Sequence, residues 1–195
     1  TGASVMLQGL TAHYLCKSTY IVKPGDVVLV HAAAGGVGLL LVQMAKMLGA
    51  IVVGTVSTEA KAELALQAGA DHVIKYTEED FETVVKDIVG DKGLPVVYDA
   101  VGLTTFNKSI ACLGPRGYLV LYGQSSGPVP PVPVSQLNSK SLFLTRPMLG
   151  DYISKREELI ERTDEILSWV LSGQLQLHLY GKYSLEEARE AHRLL

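Results

Sequence analysis

The sequence predicts an α/β fold, a doubly wound parallel sheet of about six strands with helices on both faces. Three observations carry this. Short β-branched apolar runs alternate with helix-forming stretches, and strands at that pitch need crossover helices and lie parallel. The first run, Val27-Val28-Leu29-Val30, is too short for a buried helix and apolar throughout, as a strand covered on both faces is. It passes without a gap through a turn of tiny residues, Ala32 to Gly38, into a long apolar helix.

In chain order, Val5 to Tyr14 has helical spacing and Lys23-Pro24-Gly25-Asp26 is the turn that launches the first strand. Helix formers run from Val37 to a stop at Gly49. A second strand covers Ile51 to Val56, followed by a helix from Glu59 to Ala68 closed by Gly69 and a short third strand at Val73-Ile74. Thr77-Glu78-Glu79-Asp80 caps a helix that runs to Val89, before Gly90. Pro95 to Tyr98 is the fourth strand and ends at Asp99. Thr104 to Leu113 is a helix, Gly117 to Tyr122 the fifth strand and Leu142 to Thr145 the sixth. Between the last two, Gly127 to Pro133 is too proline-rich for a helix and reads as a surface crossover. Glu157 to Leu171 is an amphipathic helix ending near Gly173, Leu175 to Tyr180 alternates like one more strand, and Ser184-Leu185-Glu186-Glu187 is a capping box that opens a last helix.

Composition narrows the function classes. The chain has 195 residues, 48 % of them hydrophobic, which is enough for one sizeable core. A net charge of −3 without a basic tract argues against nucleic acid or an anionic membrane as partner. No run reaches the ~18 apolar residues of a membrane span, and the start lacks a signal-peptide pattern. Cys16 and Cys112 are the only cysteines. Two thiols at that spacing match no metal or redox motif and point to a reducing, cytoplasmic setting.

The chemistry sits in the turn. A helix that starts at small residues aims unpaired N–H groups and the positive end of its dipole at whatever lies there, which favours a phosphate. Ala33-x-Gly35-x-x-Gly38 is the dinucleotide fingerprint with its first glycine replaced by alanine. Gly35 admits the pyrophosphate to the backbone and Gly38 lets helix and strand pack closely. The fold is then of Rossmann type. Enzymes that bind NAD place an acid at the end of the second strand. Here that position falls at Val56 or Ser57, Glu59 lies where the next helix begins, and Lys61 can reach back to a phosphate. The missing acid together with Lys61 favours NADPH.

Ala32-Ala33-Ala34-Gly35-Gly36-Val37-Gly38 resembles the signature of the quinone oxidoreductases, zeta-crystallin relatives within the medium-chain dehydrogenase/reductase superfamily. The likeness continues through Gly9-Leu10-Thr11-Ala12, Lys23-Pro24-Gly25-Asp26, Gly54-Thr55-Val56, Ala68-Gly69-Ala70-Asp71, Val73-Ile74-Lys75-Tyr76, Val97-Tyr98-Asp99-Ala100-Val101-Gly102, Thr145-Arg146-Pro147 and Glu187-Ala188-x-x-Ala191-His192. It is collinear along essentially the whole chain. The resemblance implies that Lys61, Tyr76 and Ser57 flank the adenosine 2′-phosphate and that Gly36 and Val37, beside Gly35, form the pyrophosphate turn. It puts Thr11 near the nicotinamide, and Tyr122, Gly123, Gln124, Ser125 and Leu144 around the nicotinamide ribose and ring. It further implies hydride transfer from NADPH to a quinone or similar conjugated acceptor.

Zinc-dependent members carry a cysteine four residues before Thr11; this chain has Leu7 there, so a zinc-independent enzyme is expected. Relatives also begin with a barrel-like domain that walls the substrate cleft. Residues 1–195 are therefore read as one dinucleotide-binding domain, with 1–22 and 174–195 as flanks that would meet the other domain, and as inactive alone. His31 and His192 are read as packed core histidines, and no residue is assigned a catalytic or metal-binding role. Relatives pair the edge strand Leu142 to Thr145 across a two-fold axis, so a homodimer is expected. An enoyl reductase and a non-catalytic NADPH-binding module are the rival readings.

Overall fold

The structure, a computed structural model, describes residues 2–194. Six strands, β1 (Val27–His31), β2 (Ile51–Val56), β3 (His72–Lys75), β4 (Leu94–Asp99), β5 (Leu113–Leu121) and β6 (Phe143–Thr145), form one sheet in the order β3-β2-β1-β4-β5-β6. Every neighbouring pair is parallel. The expected doubly wound sheet is the observed one.

Successive strand residues point to opposite faces, and each face has its own helices. Val28, Val30, Val52, Val96, Tyr98 and Val120 pack under α1 (Gly2–Tyr14), α2 (Gly36–Met47), α3 (Glu59–Gln67) and α7 (Arg156–Leu171). Leu29, Val53, Val97 and Leu119 pack under α4 (Phe81–Val89) and α5 (Phe106–Cys112). α1 and the turn after it contribute to the core itself, with Val5, Leu10, Tyr14, Leu15 and Cys16 buried. A short π-helical turn, Leu15–Thr19, ends α1. There a buried polar cluster locks α1 to α7. His13 Nε2 lies 2.7 Å from Glu165, which also pairs with Lys17, and Arg162 donates to His13 Nδ1 (3.1 Å) and Ser18 (3.0 Å).

The turn after β1 shows why small residues are needed. Ala32 adopts φ +53°, its carbonyl accepts from the Gly35 amide at 2.9 Å, and α2 starts at Gly36. A Cβ on Gly38 would stand 2.2 Å from the Ala32 oxygen, and one on Gly54 would stand 2.7 Å from Ala33 Cβ. Gly49 and Gly69 end α2 and α3 with φ of +85° and +103°, as expected of glycine stops.

Several expectations need correction. Leu175 to Tyr180 is not a strand. It lies on α2 rather than beside the sheet, and the amide of Gln43 stands in for a strand partner, donating to the Gln176 carbonyl (3.0 Å) and accepting from its N–H (2.8 Å). Strand β5 begins four residues early, at Leu113. The register shift opposite Leu94 to Val96 absorbs Arg116 at φ +60°. The proline stretch is followed by a 3₁₀ turn, Val134–Lys140, and α6 (Leu149–Tyr152) precedes α7. The capping box at Ser184 is present but opens a 3₁₀ turn before α8 (Ala188–Arg193). His192 is exposed rather than packed, because α8 docks on no core surface.

Backbone oxygens cannot yield to a new methyl group as a flexible side chain can. Gly38→Ala should therefore lower unfolding stability by about 3 kcal/mol in chemical denaturation. A loss below about 0.5 kcal/mol would contradict the close approach.

Candidate functional site

The strand order reverses between β1 and β4, and ligands of open α/β sheets sit outside the carboxyl ends of the strands at such a switch point. A cavity of about 830 Å³ opens there. One wall is the glycine turn, with Ala32, Ala34 and Gly35. Another is the end of β2, with Thr55, Val56 and Ser57. A third is the β4–α5 loop and the start of α5, with Val101, Thr104, Thr105 and Lys108. Gly36, Val37 and Gly38 form the first turn of α2, where amides have no intrahelical acceptor and the helix dipole favours an anion.

Charge at the end of β2 is arranged around lysines. Lys61 Nζ lies 3.3 Å from Ser57 Oγ, and among the described residues no carboxylate lies within ion-pairing distance of it. Glu59 is drawn off by Lys75, which pairs with it at 2.7 Å and with Glu78 at 2.9 Å. The two carboxylates hold the Lys75 amine above its ordinary pKa. Tyr76 leans over this corner half exposed. Across the cavity Lys108 pairs with Asp80 and sits over the Phe81 ring.

Of the residues expected from sequence, the cavity gathers Gly35, Ser57, Lys61, Tyr76 and Ser125. Gly36, Val37, Thr11, Tyr122, Gly123, Gln124 and Leu144 are not in its walls. The site set is longer than one cavity. Gly36 lies beneath Gln8 of α1, whose Cγ would be 3.3 Å from an added Cβ. Thr11 Oγ1 donates back to the Leu7 carbonyl at 2.7 Å. Tyr122 and Gly123 follow β5, both amides donating to the Asp99 carbonyl, and burial pushes the Tyr122 phenol up. Gln124 is exposed on the same loop, and Leu144 is half-buried in β6.

Sequence reading missed a polar row beneath the cavity floor. One apolar row, Leu29, Val53 and Val97, faces α4 and α5. Two residues further along each strand, on the same face, come His31, Thr55 and Asp99, all essentially buried. His31 Nδ1 lies 2.8 Å from Thr55 Oγ1 and Nε2 lies 3.0 Å from Ser109 Oγ. Ser109 and Thr105 hydroxyls donate to Asp99 Oδ2, at 3.3 and 2.7 Å. The other carboxylate oxygen accepts the Val101 and Gly102 amides. His31 and Asp99, each closing an otherwise apolar strand, were the readable signs of this network.

The chain matches the family described as zinc-binding dehydrogenase over residues 36–167, more than half its length. It is 48 % identical over 196 residues to quinone oxidoreductase 1 of Escherichia coli K12, covering 99 % of this chain and 60 % of that protein. Identity is 47 % to a 2-haloacrylate reductase of a Burkholderia species, over 99 % of this chain and 59 % of that one. The chain belongs to the zinc-binding dehydrogenase family. Within the medium-chain dehydrogenase/reductase superfamily it is similar to the quinone oxidoreductases. A crystal structure of Escherichia coli quinone oxidoreductase complexed with NADPH superposes with a TM-score of 0.93 at 48 % identity, over 98 % of this chain and 60 % of that one. The chain thus spans about 60 % of the length of these relatives.

In this family member, burial holds His31 neutral and lowers its pKa from 6.5 to about 4, against the opposing charge of Asp99. The unfolded chain takes up that proton first. His31 therefore contributes stability that is complete above about pH 6.5 and is lost as the pH falls toward 4, by up to ~3 kcal/mol. His31→Asn should show a shallower fall in unfolding free energy across that window than the unaltered chain. Parallel curves would place the titrating group elsewhere.

Proposed function

We propose that this chain is the NADPH-binding domain of a zinc-independent quinone oxidoreductase. The carrying observation is the cavity at the switch point, with Lys61 and Ser57 at one end and the open first turn of α2 beside it. These groups fit the cofactor. A 2′-phosphate meets an ammonium with no competing carboxylate. The pyrophosphate meets helix amides at a turn too small to obstruct it. Tyr76 covers the adenosine end. Gly36 and Val37 belong to that pyrophosphate turn, and Thr11, Tyr122, Gly123, Gln124, Ser125 and Leu144 extend the site toward the nicotinamide. NADPH supplies the hydride, while the protein binds, orients and shields. The similarity to quinone oxidoreductases supports a quinone or similar conjugated acceptor. Residues 1–195 serve as one domain, and the flanks 1–22 and 174–195 face the part of the enzyme that walls the acceptor cleft.

Zinc independence is supported by the donor set. Position 7 is an exposed leucine, and among the described residues no three His, Cys, Asp or Glu side chains gather to hold a metal ion. Both thiols are unpaired and buried, in keeping with a cytoplasmic enzyme. No helix of the described residues is long and apolar enough to cross a membrane.

Cofactor choice is directly measurable. NADPH should bind at least tenfold more tightly than NADH, about 1.4 kcal/mol, and Lys61→Ala should weaken NADPH while leaving NADH almost unchanged. Equal calorimetric affinities for the two cofactors would end the proposal for this site.

The same protein is proposed to be a homodimer through β6. That strand is three residues long and closes one side of the sheet, with Phe143 stacked on Tyr118 at 4.4 Å and still 47 % exposed. Lys140, the nearest charge before it, is turned back to the Ala111 and Leu113 carbonyls and does not guard the edge. An unguarded apolar edge invites pairing. Phe143→Lys should convert dimer to monomer in sedimentation while retaining NADPH binding. A monomeric unaltered protein at tens of micromolar would refute it.

A further inference from the structure

The cavity floor has a hydrogen-bond polarity, and the residues beneath it decide which. Thr55 lines the cavity at the end of β2, and its hydroxyl touches His31 Nδ1 at 2.8 Å. A hydroxyl carries one donor and two acceptor positions, and a neutral imidazole carries one of each. If Nδ1 holds the proton, Thr55 accepts from His31 and its own hydrogen is free for the cavity. If Nε2 holds it, Thr55 must donate to His31, and only oxygen lone pairs are left to face a ligand. The two tautomers present opposite chemistry at one point.

The far end of the chain selects between them. His31 Nε2 meets Ser109 Oγ at 3.0 Å, and Ser109 in turn meets Asp99 Oδ2 at 3.3 Å. Asp99 is fully buried and its other oxygen already receives two backbone amides. A hydroxyl hydrogen placed between an anionic carboxylate oxygen and a neutral imidazole nitrogen goes to the charged acceptor, whose hydrogen bond is the stronger. Oδ2 is served by Thr105 at 2.7 Å and by the Ser109 hydroxyl. With its hydrogen committed to Asp99, Ser109 meets His31 only as an acceptor. Nε2 then carries the proton, and Nδ1 takes the Thr55 hydrogen.

We propose that His31 is a positioning residue, fixed by Ser109 and Asp99 as the Nε2–H tautomer, so that Thr55 offers the cavity a hydrogen-bond acceptor. The ligand group it suits is a hydroxyl or amine donor, the kind a ribose or adenine presents, and not a phosphate oxygen. Phosphate recognition falls to Lys61 and the amides of α2. One cavity thus carries donors for the anion and an acceptor for the sugar or base. This division rests on the proposed binding of NADPH, but the tautomer does not.

Nitrogen NMR of the unaltered protein without ligand reads the tautomer directly. The expected signature is a protonated Nε2 and a bare Nδ1 for His31, with a mixture or inversion of the two in Ser109→Ala. A protonated Nδ1 in the unaltered protein overturns the proposal, whatever the site binds. Calorimetry with NADPH tests the consequence. Ser109→Ala should weaken binding about fivefold on its own and less than twofold when added to Thr55→Val, because the acceptor it orients is already gone. Losses that multiply independently would reduce His31 to a packing role. Absence of saturable NADPH binding by the unaltered protein would instead remove the cofactor reading, leaving the tautomer result to stand or fall by itself.

Discussion

Everything at the carboxyl end of the sheet depends on how closely α2 approaches the turn that follows β1. Gly38 leaves no room for a methyl group between the helix and the Ala32 carbonyl, and Ala33 fills the space that Gly54 leaves on β2. The two contacts set the height of α2 above the sheet. They also set the direction in which its first-turn amides point. Ala32 takes up the cost in backbone strain, since an L-residue at φ +53° is disfavoured by about 1–2 kcal/mol. The turn holds that conformation because the Ala32 carbonyl is needed by Gly35, and Ala33 donates to the Thr55 carbonyl at 3.1 Å. Strand, turn, helix and neighbouring strand are thus one mechanical unit, and the direction of the first-turn amides is a by-product of its packing.

Beneath that unit the sheet changes character within two residues. Leu29, Val53 and Val97 make an ordinary apolar row, while His31, Thr55 and Asp99 in the next row are polar and just as buried. Replacing apolar groups with polar ones at full burial is unfavourable unless every partner is supplied. Here α5 supplies them through Thr105 and Ser109, and the β4–α5 loop supplies two amides. The network ties the ends of β1, β2 and β4 to the loop that forms the opposite wall of the cavity. An apolar row would bury as well, but it would not fix the distance between the walls.

What was legible in the sequence follows from which interactions are local. Strands β1, β2 and β4 were readable because uninterrupted apolar runs have few alternatives, and glycine stops such as Gly49 and Gly69 act within one turn. Leu175 to Tyr180 alternated convincingly, yet the alternation reports only that one side of the segment is covered. Gln43 of α2, 133 residues away in sequence from Gln176, supplies the backbone partner. The early start of β5 was hidden for a similar reason, because Gly114 and Arg116 accommodate a register shift imposed by β4. Within the site, the glycine turn and Lys61 could be placed from spacing alone. The partners of His31 could not, because Ser109 and Thr55 meet it only after three strands and a helix have assembled.

The charge arrangement at the end of β2 is what the proposed phosphate recognition would rest on, without a large net charge. Among the charged side chains at this corner, Glu59, Lys61, Lys75 and Glu78 carry two positive and two negative charges. Their sum is zero, so composition alone carries no preference for an anion. Lys75 breaks the balance by engaging both carboxylates at once, at 2.7 and 2.9 Å. Lys61 is left with a neutral hydroxyl as neighbour. Attraction between charges decays with distance and with solvent screening, so the pairing nearest the ligand outweighs the total. Lys61 presents an ammonium on a flexible stem, beside a serine that can add a second donor. On the proposed NADPH reading, selectivity for a phosphate at this corner would reside in the ion pairs of Lys75 as much as in Lys61, and the sequence position that reads as a missing acid is one part of a wider rearrangement of charge.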